Sequence, residues 1–320
     1  MTQGLAETLA TCLAAGIEVA RVVVAKARGS TPREAGAAML VTADQTDGTI
    51  GGGRLEWDAI AAARELLASS ADRRVLDIPL GPAIGQCCGG HVTLTIERAD
   101  AQILAAMTMD EAAERASRPQ ILIFGAGFVG RALATALSPL PVHVRLIDNR
   151  AAEFAGFDAP GVVQIATERV LKEVDAAPAG AAYLVMTHSH TLDALIASTV
   201  LERSDFRYLG IIGSRTKRKR FEAAFRQQGI ATSDIARITC PIGSASVRDK
   251  RPAVIAALAA AELITIFATD ATAQTNVSTV VAIDAGPTDH SPRRAGECAR
   301  EAYGAEANQR RVPRGAGRHR

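Results

Sequence analysis

Several short segments of this 320-residue chain concentrate residue types able to do chemistry. Arg28, Ser30, Thr31 and Arg33 stand close together in the run ARGSTPREAG. Guanidinium groups make bidentate, charge-assisted bonds, so this set suits an oxyanion such as a phosphate. The same residues also read as a turn begun by Ser-Thr-Pro with solvated arginines. Downstream, Gly51, Gly52 and Gly53 in GTIGGGRLE present backbone amides that a ligand can approach, with Arg54 and Glu56 following at a helix start. The run GQCCGG places the vicinal thiols Cys87 and Cys88 beside Gln86 and among glycines. A structural cysteine sits in an apolar element as a small hydrophobe. One flanked by glycines is accessible, and its soft thiolate favours soft metals or sulfur electrophiles. Cys87 and Cys88 are therefore candidate metal contacts, with a buried pair as the alternative.

A second group lies further along. Gly125, Gly127 and Gly130 form a GxGxxG directly after a β-rich run and before a helical one. The first glycine permits the tight turn, the second the approach of a pyrophosphate, and the third close helix–strand packing. Asp148 ends the next strand where a carboxylate meets an adenosine ribose, and Arg150 beside it suits either an extra phosphate or solvent. His188 and His190 in MTHSH end another strand, with Asp193 behind them; ligand contact by His188 stands beside a purely local hydrogen-bonding role. Ser214 and Arg215 open the basic helix after the fifth strand, placed to touch phosphate. Cys240 in TCPIG ends a strand at the same edge and reads as structural.

These residues need elements to hold them. Strands alternating with helices over residues 119–268 give βαβ units and a parallel sheet, because parallel neighbours require crossover connections. Residues 1–99 have a different texture: a short helix, strands joined by Gly-rich connections with a turn at Asp47-Gly48, and one amphipathic helix. The expected fold class is α/β, an N-terminal α+β domain followed by a Rossmann-like doubly wound parallel-sheet domain. A linker helix over 100–118 joins the two. Residues 269–320 form a basic tail expected to be disordered; from Ser291 onward it carries eight Arg against three Glu.

Composition narrows the function classes. Lys plus Arg number 36 and Asp plus Glu 34, so no global basic surface marks a nucleic-acid binder. Aromatics at 4% leave little for base stacking. No apolar run reaches the ~18 residues of a membrane span, and no secretory signal pattern opens the chain. Five scattered cysteines without a CxxC fit a reducing compartment, and a cytoplasmic protein is expected.

Taken in order, RGSTPREAGAAMLV, GTIGGGRLE, GPAIGQCCGG, ILIFGAGFVG, YLGIIGSRTKRKRF and CPIG resemble the xanthine dehydrogenase accessory proteins of the XdhC/CoxI type. The resemblance covers roughly residues 5–267 and implies an N-terminal XdhC/CoxI domain followed by a Rossmann domain. It further implies a chaperone of the molybdenum cofactor in its molybdopterin form, a carrier and not a catalyst. Such a protein protects the cofactor and presents it to a cysteine desulfurase for replacement of an oxo ligand by sulfido. It then delivers it to the molybdenum subunit of apo xanthine dehydrogenase. Molybdenum insertion enzymes are further expected partners, and a homo-oligomer is expected. The alternatives are an NAD(P)-dependent oxidoreductase using GAGFVG, and a docking protein whose Rossmann domain is empty.

Overall fold

The computed structural model describes residues 4–81, 89–243, 247 and 249–277. Gln86, Cys87, Cys88, Cys298 and the basic segment past residue 277 lie outside the described residues.

The first half is built on alternation. Strands β1 (Ala20–Arg28), β2 (Ala38–Val41), β3 (Thr46–Gly48), β4 (Arg73–Pro79) and β5 (His91–Arg98) form an antiparallel sheet in the order β3-β2-β1-β5-β4. Every second residue faces one side, so Ala20, Val22 and Val24 of β1 and Val92, Leu94 and Ile96 of β5 share a buried face. Helix α2 (Gly53–Leu67) covers it with Leu55, Ala59, Ala63 and Leu66, spaced as one helical stripe. On the opposite face, helices α1 (Leu5–Ala14) and α3 (Ala101–Ser117) cluster Leu9 and Met107 with Leu40 of β2. Asp100 caps α3 by accepting the Ile103 amide at 2.8 Å. One detail departs from the sequence reading: Asp47-Gly48 is not the turn but part of β3, paired with β2. The chain reverses earlier, where Thr42 Oγ1 accepts the Gln45 amide at 2.9 Å and donates to Asp44.

The second sheet is parallel throughout. Its strands β6 (Gln120–Phe124), β7 (His143–Asp148), β8 (Val162–Ala166), β9 (Ala182–Val185), β10 (Tyr208–Ile211) and β11 (Ile238–Thr239) lie in the order β11-β10-β9-β6-β7-β8. Numbered from its own first strand, this is the doubly wound order 3-2-1-4-5-6. Strands β6, β9 and β10 are almost wholly apolar because both faces are covered. Helices α5 (Val170–Asp175), α6 (His190–Arg203), α7 (Arg215–Gln227) and α8 (Thr232–Ala236) pack on one side, and α4 (Phe128–Leu137) and α9 (Pro252–Val277) on the other. The closing helix α9 runs on through 269–277, past the boundary drawn from the sequence, since no Gly or Pro interrupts it after Pro252. Strand order reverses between β6 and β9, which places a crevice outside the carboxyl ends of those two strands. Among the described residues no helix is long and apolar enough to cross a membrane.

Candidate functional site

In the antiparallel half, loops distant in sequence meet. A Cβ at Gly90 would lie 2.2 Å from the Ser30 carbonyl oxygen and 2.8 Å from that of Arg28. Only a glycine therefore lets the strand entering β5 lie against the 28–30 turn. On the other flank, a Cβ at Gly51, whose φ of +128° already favours glycine, would lie 2.6 Å from Pro32 Cβ and 3.5 Å from Arg33 Cγ. The segment 28–33 is thus clasped between Gly51 and Gly90. Arg28, Ser30 and Arg33 are exposed and Thr31 half-buried. Among the described residues neither arginine has a carboxylate within ion-pair distance, although the Arg28 charge, after the hydrogen bond with His91, is one of the influences that hold the nearby Asp77 carboxyl below its usual range.

The glycine run is less open than the sequence suggests. Glu56 reaches back from α2, and its Oε2 accepts the amides of Ile50 at 3.0 Å and Gly52 at 3.1 Å and the Thr49 hydroxyl at 2.5 Å. Thr49 Oγ1 in turn accepts the Gly51 amide at 3.1 Å. Burial would push the Glu56 carboxyl up, but these bonds outweigh it and hold the group below its usual range. The amides of Gly51 and Gly52 are therefore engaged by the chain itself, and Gly53 begins α2. The run shapes the loop that carries Pro32 and Arg33.

In the parallel half the three glycines separate by role. A Cβ at Gly125 would meet the Met186 carbonyl oxygen at 2.3 Å, and one at Gly130 the Gly125 carbonyl oxygen at 1.9 Å. Both are packing glycines, joining the β6 turn to the end of β9 and to α4. A Cβ at Gly127 would meet nothing within 4 Å beyond the adjoining chain, and Phe128 beside it is 80% exposed. Asp148, 4% exposed, accepts the Ala126 amide at 2.8 Å, and the Arg150 amide, Nε and Nη2 at 2.9, 3.0 and 2.9 Å. Burial pushes its carboxyl up; the Arg150 side chain and the two amides more than reverse this and leave it below the ordinary carboxylate range. Arg150 also pairs with Glu153 at 2.9 Å. Both oxygens of the carboxylate expected to meet a ribose are thus engaged within the turn, and Arg150, though part-exposed, is paired with Asp148 and Glu153.

Beyond the switch point, Thr187, His190, Ile212, Ser214, Lys217 and Arg220 are among the residues lining a crevice of about 470 Å³. Ser214 caps α7 by accepting the Lys217 amide at 3.2 Å. Asp193, 1% exposed, accepts Lys217 Nζ at 2.6 Å, the Thr187 hydroxyl at 2.7 Å and the Thr187 amide at 2.9 Å. Of the residues expected here, Ser214 lines the crevice; His188 and Arg215 are exposed and do not line it. His190, Lys217 and Arg220 take their place. The signal was present for α7: residues 213, 216–217 and 220–221 repeat at helical spacing from the cap. Cys240 is buried with its thiol 3.9 Å from the Ser214 carbonyl oxygen, and burial pushes its pKa up.

Comparison with known proteins follows these two halves. Residues 12–78 match the model of the XdhC and CoxI family, and residues 121–263 match that of the XdhC Rossmann domain. The Escherichia coli (strain K12) protein named "Uncharacterized protein YqeB" is 27% identical over 248 residues, covering 76% of this chain and 42% of the relative. This chain therefore spans less than half of that protein's length. A solved structure described as a xanthine dehydrogenase from Bacillus halodurans superposes with a TM-score of 0.69, covering 84% of this chain and 96% of that one. At 19% identity it shows a shared fold. With both regions matched in order, the chain belongs to the XdhC and CoxI family.

Proposed function

We propose that this protein is a maturation factor for xanthine dehydrogenase that carries the molybdenum cofactor. It holds the molybdopterin form as cargo, supports its sulfuration by a cysteine desulfurase, and hands it to the apo-enzyme. The observation that carries this reading is the clasp of segment 28–33 between Gly51 and Gly90, on which Arg28 and Arg33 stand exposed with no carboxylate within ion-pair distance among the described residues. Molybdopterin ends in a phosphate, and unpaired guanidinium groups on a loop fixed from both sides are the donors such a group requires. Gly90 also ends the segment bearing Cys87 and Cys88, whose thiols suit the soft dithiolene–metal end of the cargo. Arg28 and Arg33 would hold the phosphate, and the cysteines would govern transfer. The work asked of the chain is binding and release, with no bond made or broken by its own side chains.

The test is purification from cells able to make the cofactor, with pterin measured by fluorescence after oxidation. Wild-type protein is expected to carry pterin in proportion to protein. Arg28→Ala or Arg33→Ala should lower its affinity by about 2–5 kcal/mol where the bound phosphate covers that exposed guanidinium and excludes water from the pair, and by far less where it does not. The Cys87→Ser, Cys88→Ser double variant should fold normally and activate the apo-dehydrogenase poorly. Wild-type protein without pterin, or full activation by the double variant, would refute the corresponding step.

One observation favours a second ligand, a nucleotide in the Rossmann crevice: the open space around Gly127 at the head of α4. Engagement of both Asp148 oxygens within the turn weighs against an ordinary dinucleotide ribose contact. Calorimetric titration with NAD and NADP separates a redox role from a carrier role.

A further inference from the structure

Strand β1 contains a β-bulge between Val24 and Lys26: Val24 pairs with Leu94, but Lys26 pairs with Thr93. Up to Val24, even-numbered residues face α2. An unbroken strand would drive Lys26 and Arg28 into that apolar face. The extra residue reverses the alternation, so that Ala27 packs inward and Lys26 and Arg28 turn outward. Bulges re-aim side chains in this way, and they recur beside functional sites.

The outward face here is polar. Directly across from Lys26 and Arg28 stand Thr93 and His91 of β5, and across from these stand Asp77 and Pro79 of β4. His91 Nε2 lies 2.6 Å from Asp77 Oδ1, which also accepts the Thr93 hydroxyl at 2.9 Å. Asp77 is thereby satisfied by its neighbours and fixes the His91 ring. Lys26 and Arg28 have no carboxylate ion-pair partner among the described residues. Lys26, Arg28, Asp77, His91 and Thr93 together line a pocket of about 170 Å³. That is below the roughly 300–1,000 Å³ of a pocket for a drug-sized ligand and suits a small polar group. Its rim is the clasped turn, because Arg28 and His91 are register partners and Gly90 packs on the Arg28 carbonyl.

We propose that the β1 bulge, Lys26, Arg28 and the Asp77-oriented His91 form a subsite for a tetrahedral oxyanion on the outer face of the antiparallel sheet. Lys26 and Arg28 supply charge, His91 supplies a directional ring nitrogen, and Asp77, itself held by the Thr93 hydroxyl, positions His91. Naming the anion as the cargo's terminal phosphate rests on the carrier reading above; the subsite itself does not. Free phosphate has the same chemistry, and the experiment has an arm for each source.

The full chain is titrated calorimetrically with inorganic phosphate, and pterin content is measured on the same preparations. Wild-type protein should bind phosphate saturably. Lys26→Ala and His91→Gln should each weaken binding at least ten-fold with an unchanged melting temperature. Arg74→Ala, a cation of β4 paired with Glu65 outside the pocket, should stay within two-fold. Absence of saturable phosphate binding, or equal affinity in all variants, overturns the subsite. If His91→Gln proves unstable, Thr93→Val carries the same expectation of weaker binding. Pterin loss that follows phosphate affinity across the variants identifies the anion as the cargo's phosphate. Phosphate binding by a pterin-free wild type keeps the subsite and overturns the carrier reading, while undiminished pterin in Lys26→Ala assigns the subsite to free oxyanion.

Discussion

The two halves of the chain spend their charged residues differently. At the carboxyl edge of the parallel sheet, Asp148 is engaged by Arg150 and the Ala126 amide, and Asp193 by Lys217 and Thr187. Around the 28–33 turn of the antiparallel half, Lys26, Arg28 and Arg33 have no carboxylate ion-pair partner among the described residues. A charge held in a closed network fixes a loop; one left unpaired at a rim is available to a ligand. The turn carrying the familiar nucleotide-binding pattern is therefore closed on itself at Asp148, and the less conspicuous arginine turn is where we propose the ligand binds.

The sharpest way to break this contrast is to remove a charge from each half. Asp193→Ala leaves Lys217 largely buried without its carboxylate, and loss of one partner of a buried pair costs about 3–5 kcal/mol. The double variant Asp193→Ala, Lys217→Met should recover part of that loss, because the stranded charge is gone. Lys26→Ala and Arg33→Ala should leave the denaturant midpoint almost unmoved, since exposed charges contribute little to stability. A small loss for Asp193→Ala, or a large one for Arg33→Ala, would show that the division between fold and ligand is misplaced.

A smaller effect is expected from Asp148→Asn. The amide has one acceptor oxygen where the carboxylate has two, so the two donors on one oxygen, Arg150 N and Nε or the Ala126 amide and Arg150 Nη2, lose their partner; the guanidinium keeps Glu153, and the stranded backbone amide costs about 1–3 kcal/mol. The pH dependence has a definite sign. The folded pKa of Asp148 lies below its unfolded value, so its stabilisation is complete above the unfolded value of about 3.9 and is lost as pH falls through the folded one. Wild-type protein should therefore lose stability on acidification below about pH 4 more steeply than Asp148→Asn. Urea midpoints measured from pH 6 down to pH 3 check this; parallel acid limbs would mean that the carboxylate is not specially held.

Much of this organisation was legible in the sequence, for a physical reason. Strands buried on both faces are continuous apolar runs, and helices between them carry caps such as Ser189 and Ser214, so the parallel sheet is written locally. The glycine turn after β6 is equally local. What escaped is relational. Nothing in GTIGGG announces that Glu56 takes up its amides, and Asp148 next to Arg150 reads equally as an open carboxylate or a closed pair. The pocket of Lys26, Asp77 and His91 depends on a one-residue bulge in β1 and on register across three strands. Such register is fixed by which face is buried, a property of the assembled sheet.

The finest distinction lies between two glycines three residues apart. Gly130→Ala would set a Cβ 1.9 Å from the backbone oxygen of Gly125, where no side chain can move aside, and overpacking of this kind costs about 1–3 kcal/mol. Gly127→Ala should do almost nothing to the fold. Its φ of −70° is open to any L residue, and a Cβ there meets nothing within 4 Å. Replacing glycine stiffens the unfolded chain, a gain of about 0.4–1 kcal/mol. Alanine is a poorer N-cap than glycine at the head of α4, and this offsets much of the gain. The net change in the urea midpoint should fall within about 0.5 kcal/mol of zero, the smallest of the series. That near-neutrality makes Gly127→Ala a clean probe of ligand, because the new methyl occupies only the space a phosphate would enter. If wild-type protein binds a nucleotide and Gly127→Ala does not, the crevice is a working site, and the contrast between the halves narrows to how each holds its ligand. If the variant and wild type are equally stable and equally inert to NAD and NADP, the glycine turn of the parallel half is no site for a nicotinamide dinucleotide, and the oxidoreductase reading falls.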